Sequence, residues 1–217
     1  MGKLRLRFCK TGKAKYISHL DLCATMRRAL ARAGVQLRYS EGFNPHPYIS
    51  VALPLPVGCG SLCELMDIRV LGQPKADIVP RVNATLPCGL VVCEVYESKR
   101  KFSEIKWVEI KGQLRYGSGA PEKTAEKLSK RFAEKSIVVT KKTKRDVSDF
   151  DIAPHISGIA FEGDSAIIMS AVVSAQSPSL TTDNIMAALG GQYGALAPDF
   201  AAFTRSEVFD SGMDVFK

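Results

Sequence analysis

The chain has 217 residues, 46% of them hydrophobic, with 30 basic and 22 acidic side chains and a formal net charge of +8. That length allows one large domain or two small ones, and that apolar share supplies a core without disulfide staples. No apolar run reaches the roughly 18 residues of a membrane-spanning helix, and MGKLRLRFCK alternates charged with apolar residues instead of building a leader, so the expected location is the cytoplasm, with no membrane partner.

The charge is distributed in blocks. Residues 1–50 carry ten Lys/Arg against two acids and residues 98–145 carry fifteen against five; residues 51–97 carry three against five, and 146–217 two against ten. Two such basic blocks can build a surface potential that gathers polyanions such as nucleic acid. The plainer alternative is that basic and acidic blocks neutralise one another across a fold interface, or lie solvated.

In chain order, Leu4, Leu6 and Phe8 alternate with Lys3, Arg5 and Arg7, the period-two pattern of a half-buried strand. Ser18 then precedes a helix in which Leu22, Met26, Ala29, Leu30 and Ala33 repeat at helical spacing, closed by Gly34. VQLRYS predicts a strand, YISVALPLP an extended segment, LCELMDIRVL a strand, KADIVPRVNATL a helix with a proline near its start, and GLVVCEVYE a buried strand. After the basic hinge SKRK the series restarts. KWVEIKGQLRY predicts a strand, PEKTAEKLSKRFAEK a helix with Pro121 suited to its first turn, and SIVVTKK a strand. ISGIAFEGD and SAIIMSAVVSA predict a hairpin turning on Gly163-Asp164, followed by a Thr-capped helix TTDNIMAALG and a last strand FTRSEVF.

Strand, helix, strand, strand, helix, strand is the split βαβ order. The expected fold is therefore α+β: two tandem ferredoxin-like units, residues 1–98 and 99–217, each an antiparallel sheet with its helices on one face.

Two short stretches carry most of the chemistry. In KYISHLDL, Ser18 and Asp21 match the S-x-x-[DE] capping box, which assigns them a structural role on the order of 1 kcal/mol. His19 sits in the first helical turn, where the helix dipole favours a neutral imidazole that could bond a ligand or a loop carbonyl. A Ser-His-Asp triad is excluded, because the histidine would have to stand between the other two groups and adjacent positions on one turn point apart.

In YSEGFNPHP, Gly42 offers positive φ, while Pro45 and Pro47 stiffen a loop that presents Phe43, Asn44 and His46 beside Arg38, Tyr39 and Tyr48. Such a loop suits single-stranded nucleic acid, whose bases stack on aromatic rings while Arg and Lys take phosphates. The alternative is an Ω-like loop with Phe43 plugged into the core and His46 bonded to a backbone carbonyl. Arg27, Arg28 and Arg32 on the helix, with Lys13, Lys15 and Arg38, could extend one basic surface around this loop.

Six cysteines include one close pair, Cys59-x3-Cys63, with no accompanying ligands at metal spacing. They are expected to be free thiols, mostly buried, and no metal or cofactor is expected.

The words KYISHLDL, RRALARAG, YSEGFNPHP and LPLPVG together resemble a bacterial family of uncharacterised proteins associated with radical-SAM enzymes, free-standing or fused behind a cobalamin-binding radical-SAM protein. The resemblance covers residues 3–71. It departs at Met26, where an acidic residue is expected, and at Cys59 and Cys63, in a stretch usually free of cysteine. It implies a radical-SAM protein as partner and, by extension, an RNA-modification or ribosome-related pathway. This chain has no CxxxCxxC motif for an iron–sulfur cluster. The tandem fold also resembles that of RAMP-type CRISPR RNA endonucleases, an analogy of fold alone.

The resulting expectation is a non-catalytic RNA-binding or accessory module, its RNA a tRNA or rRNA. Lys15, Arg27, Arg28 and Arg38 would contact phosphates; Tyr16, Phe43 and Tyr48 would stack; His19, Asn44 and His46 would bond bases or sugars. Both motifs are expected to line a single groove. The alternatives are a protein-interaction domain docking on a radical-SAM enzyme, and a metal-independent RNA endonuclease with His19 or His46 as general base.

Overall fold

The computed structural model describes residues 2–72, 77–142 and 147–217. The chain divides into two compact units, Met1–Glu104 with Lys217, and Ile105–Phe216.

In the first unit the elements are β1 (Gly2–Lys10), α1 (His19–Arg32), β2 (Ile49–Val51), β3 (Gly60–Val70), α2 (Ile78–Asn83) and β4 (Leu90–Glu97). β1 pairs antiparallel with both β3 and β4, and β2 pairs antiparallel with β3, so the strands lie in the order β4-β1-β3-β2. The alternation in β1 sorts its side chains between the two faces. Leu4, Leu6 and Phe8 join Met66, Ile68 and Val70 in one core, covered by Leu22, Met26 and Leu30 of α1 and Ile78 and Val82 of α2. Lys3, Arg5, Arg7, Asp67 and Arg69 fall on the opposite face, away from α1 and α2.

Local signals behave as their chemistry requires. The Ser18 Oγ accepts from the Asp21 N–H at 3.1 Å and donates to the Asp21 carboxylate at 2.7 Å, so the carboxylate reaches back to the hydroxyl and both groups are occupied in capping. Gly34 ends α1 with φ +68. Pro80 is tolerated in α2 because it lies in the first turn, where no intrahelical donor is required. Lys75 and Ala76 of the predicted helix lie outside the described residues.

Three expectations change. Val35–Ser40 is not a strand of the sheet: it makes only isolated bridges, Leu37 to Val70 and Tyr39 to Pro47. The segment passes the end of β3, and prolines 45 and 47 lack the donors that a longer ladder would use. β2 is correspondingly short, ending before Leu53 at φ 43. The first unit also continues past Ser98 to Glu104. Ser98 Oγ and the Arg100 carbonyl accept from Arg5 Nη2 at 3.0 and 2.8 Å, and the Phe102 ring lies 4.4 Å from the Arg5 guanidinium carbon.

The second unit contains β5 (Trp107–Arg115), α3 (Thr124–Phe132), β6 (Val138–Lys142), β7 (Val147–Asp151), β8 (Ile156–Glu162), β9 (Ala166–Ser174), α4 (Thr182–Ala187) and β10 (Phe200–Phe209). Antiparallel pairing gives the order β10-β5-β9-β8. The predicted strand SIVVTKK pairs with β7 in a separate ribbon, closed where Asp151 Oδ1 accepts from the Ile137 N–H at 2.8 Å and the Ala153 N–H at 3.1 Å. Lys144 and Arg145 of the second basic block lie outside the described residues. Leu128 and Phe132 of α3 are buried, with the Phe132 ring 5.4 Å from Phe161. Thr181 and Asn184 form a reciprocal capping box on α4.

Among the described residues, no helix is long and apolar enough to cross a membrane, and no group of three or more His, Cys, Asp or Glu side chains could hold a metal ion. The cysteines are free thiols, but only Cys59 and Cys63 are buried; Cys88 and Cys93 are exposed, so the expectation of mostly buried thiols does not hold.

Candidate nucleic-acid interface

The β-α-β path decides where the two motifs go. α1 begins at the Lys10 end of β1, after a turn tied down by the Thr11 N–H to the Gly89 carbonyl and by the Gly58 N–H to the Lys15 carbonyl. It then runs back along the sheet, and the chain leaves its C-terminus beside Val70, which pairs with Gly2 at the other end of β1. Lys3 pairs with Arg69, and Lys10 with Ser61. At 3.3–3.4 Å per residue, those two levels are roughly 23 Å apart.

His19 and His46 therefore stand at opposite ends of the unit, and the expected single groove is not formed. A helix that returns antiparallel to its strand places its first turn and its following loop at opposite ends of the sheet. Lys15, Tyr16 and His19 occupy one end. Arg38, Phe43, Asn44, His46 and Tyr48 occupy the other. Arg27 and Arg28 are exposed on α1, on the helical side of the sheet.

At the first end, His19 Nε2 lies 3.8 Å from Cys23 Sγ. Its Nδ1 is buried without a hydrogen-bond partner among the described residues. Tyr16 is exposed, with the Lys15 ammonium 5.1 Å from its ring centroid. Leu20 (78% exposed) and Val57 (61% exposed) add apolar surface here.

At the other end, the loop is closed at its base by the Tyr39–Pro47 bridge, by the Ser40 N–H to the His46 carbonyl at 2.9 Å, and by the Tyr48 N–H to the Arg38 carbonyl at 3.0 Å. Ser40 Oγ accepts from the His46 N–H at 3.1 Å and lies 3.0 Å from its Nδ1. The imidazole is thus held within its own loop. Phe43 is fully exposed at the tip, which removes the alternative that it plugs the core.

Behind this loop stand Lys3, Arg69 and Lys101, which the sequence reading did not select. The Arg69 guanidinium carbon lies 4.6 Å from the Tyr48 ring centroid and that of Arg38 lies 5.8 Å from it. Lys3 Nζ is 2.9 Å from the Asp67 carboxylate, which Arg5 already neutralises. A cavity of about 310 Å³ is lined by Lys3, His46, Tyr48, Asp67, Arg69, Lys101 and Phe102, among others. A second, of about 220 Å³, is lined by Gly2, Lys3, Arg38, Arg69 and Val70. With Asp67 shared by Arg5 and Lys3, the cations Lys3, Arg5, Arg38, Arg69 and Lys101 outnumber the acids Asp67 and Glu41 at this end. Alternation along β3 marks Arg69 as facing away from the core. Its meeting with Tyr48 depends on strand register, which periodicity does not supply.

The family model described as an uncharacterized protein conserved in bacteria, DUF2344, matches residues 3–182. No curated protein matches the chain. A chain in the crystal structure of a Cbf5-Nop10-Gar1 complex is similar over 94% of this chain and 48% of its own length, at 12% identity and a TM-score of 0.51. A chain in the structure of an H/ACA RNP bound to a substrate RNA containing 2'-deoxyuridine is similar over 97% of this chain and 47% of its own, at 12% identity and a TM-score of 0.49. The chain spans about half the length of these two. At 12% identity the likeness to the first concerns fold alone, a mixed α+β chain with mostly antiparallel sheet and few helices.

Proposed function

The chain belongs to the uncharacterized bacterial family DUF2344, and from that premise we propose that it is a non-catalytic RNA-binding accessory module. The carrying observation is the end of the first unit where Lys3, Arg38, Arg69 and Lys101 surround Tyr48 and Phe102, with Phe43 exposed on a stiff loop beside them. Cations of this kind take phosphates, and exposed rings accept unstacked bases, a combination that suits single-stranded RNA more than a duplex.

The strand orders β4-β1-β3-β2 and β10-β5-β9-β8, each with two helices in split βαβ sequence, support reading both units as ferredoxin-like, the second carrying an inserted ribbon. Folds of that kind can present a sheet face to RNA, as RRM modules do. In this reading Arg38, Phe43, Asn44, His46 and Tyr48 work with Lys3, Arg69 and Lys101. Lys15, Tyr16 and His19 form a separate surface, and Arg27 and Arg28 a third. A cytoplasmic setting and an RNA-modification pathway shared with a radical-SAM protein complete the proposal.

A second reading, docking onto a radical-SAM enzyme, draws its support from the exposed Tyr16, Leu20 and Val57. The endonuclease alternative fits less well. General acid–base cleavage wants two proton-transfer groups across one phosphate, and His19 and His46 lie at opposite ends of the unit.

The test is fluorescence anisotropy of single-stranded RNA with the wild type and the Arg38→Ala/Arg69→Ala double variant, in chelator, followed by electrophoresis of the RNA. Intact RNA bound by the wild type and released by the variant supports the module. Cleavage that His46→Ala abolishes would replace it with the nuclease. A co-purifying protein without any RNA affinity would favour the docking domain.

A further inference from the structure

The two cavities at the loop end share Lys3 and Arg69 as walls. Among the described residues lining the smaller, Lys3, Arg38 and Arg69 are cationic and none is acidic. The larger adds His46, Tyr48 and Phe102, with Asp67 and Lys101 at its wall. One compartment is therefore suited to an anion, and its neighbour to a ring and its sugar.

Both shared cations are held in advance. Lys3 Nζ is anchored at 2.9 Å by Asp67, itself fixed at 2.7 Å by the fully buried Arg5. Arg69 rests over Tyr48 at 4.6 Å. A guanidinium supported by an aromatic face keeps its N–H edge for an oxyanion and loses less rotamer entropy when one arrives.

We propose that the smaller cavity takes the terminal phosphomonoester of an RNA strand, between Lys3, Arg38 and Arg69, with the adjoining nucleoside in the larger cavity; the inference rests on the RNA-binding reading above. A phosphomonoester carries close to two negative charges at neutral pH, since its second pKa is about 6. An internal phosphodiester carries one, and must lead the chain both into and out of the cavity. Three cations with no acid among the described lining residues match the end of a strand better than its middle. Ser40 engages His46 Nδ1 at 3.0 Å, which turns the Nε2 edge to the ribose or base.

The experiment uses one single-stranded RNA sequence, labelled internally, in three forms: with a 5′-phosphate, with a 3′-phosphate, and with hydroxyls at both ends. Binding to the full chain is followed by anisotropy at one salt concentration. One phosphorylated form is expected to bind about tenfold or more tighter than the hydroxyl form, a difference of about 1.4 kcal/mol, and the winning end gives the polarity. Arg69→Ala and, separately, Lys3→Ala are each expected to shrink that preference to within about twofold; both side chains are exposed, so the fold should survive. Equal affinity for all three RNAs, or a preference intact in both variants, overturns the terminal-phosphate site and leaves RNA binding standing. Failure of every form to bind at low salt overturns the RNA-binding reading itself.

Discussion

Arg5 of β1 stands directly opposite Asp67 of β3, and the two close a double ion pair, Nε to Oδ1 at 2.7 Å and Nη2 to Oδ2 at 3.1 Å. Arg5 is fully buried, and its Nη2 also reaches Ser98 and the Arg100 carbonyl, so one side chain holds both the sheet and the segment that folds back over it. Breaking such a pair leaves an uncompensated buried charge. Asp67→Asn is therefore expected to destabilise the protein by about 3–5 kcal/mol, read as a lowered midpoint in urea. A change within error would show that the guanidinium is satisfied without the carboxylate.

Phe43 makes the opposite prediction. Fully exposed at the loop tip, it has no packing to lose. Phe43→Ala should alter stability by less than about 0.5 kcal/mol yet remove roughly 1–3 kcal/mol of RNA affinity. Loss of stability with unchanged binding would assign the ring to the fold.

The separation of the two histidines gives a third. His46→Ala should weaken RNA binding, while His19→Ala leaves it unchanged, because α1 carries His19 to the far end of β1. Equal effects in a titration of both variants would require the RNA to run the length of the unit.

The Cys9 thiol is pushed up to about 11 from an ordinary value of 9.0, first by burial and then by the Cys93 sulfur 3.5 Å away. The raised value means that folding favours the neutral thiol. That contribution is present below pH 9 and is lost as pH rises through 11. Alkylation of Cys9 by iodoacetamide, followed by peptide mass spectrometry, should stay slow at pH 8 and reach half its limiting rate near pH 11. Fast alkylation at pH 8 would contradict the half-buried, paired setting.

The sequence made elements and caps legible, but not the site. The alternation of Leu4, Leu6 and Phe8, the Ser18 cap and the Gly34 stop each act through neighbours within a few residues, so local pattern suffices. The GFNPHP loop was legible as a stiff exposed turn for the same reason. The grouping was not. Placing His19 with His46 assumed that motifs close in sequence meet in space, whereas a returning helix separates them. Arg69 and Lys3 went unselected because their meeting with Tyr48 and Asp67 depends on strand register between segments 21 and 64 residues apart, a long-range property. Extended character in Val35–Ser40 was readable, but its failure to enter a ladder follows from where β3 ends.

The most direct measurement is the salt dependence of single-stranded RNA affinity. Four cations, Lys3, Arg38, Arg69 and Lys101, predict a slope of log affinity against log salt of about −3 at roughly −0.7 per phosphate contact, flattening by about 1.4 in Arg38→Ala/Arg69→Ala. A slope unchanged in that variant, or one removed instead by Arg27→Ala/Arg28→Ala, would contradict an interface at the loop end.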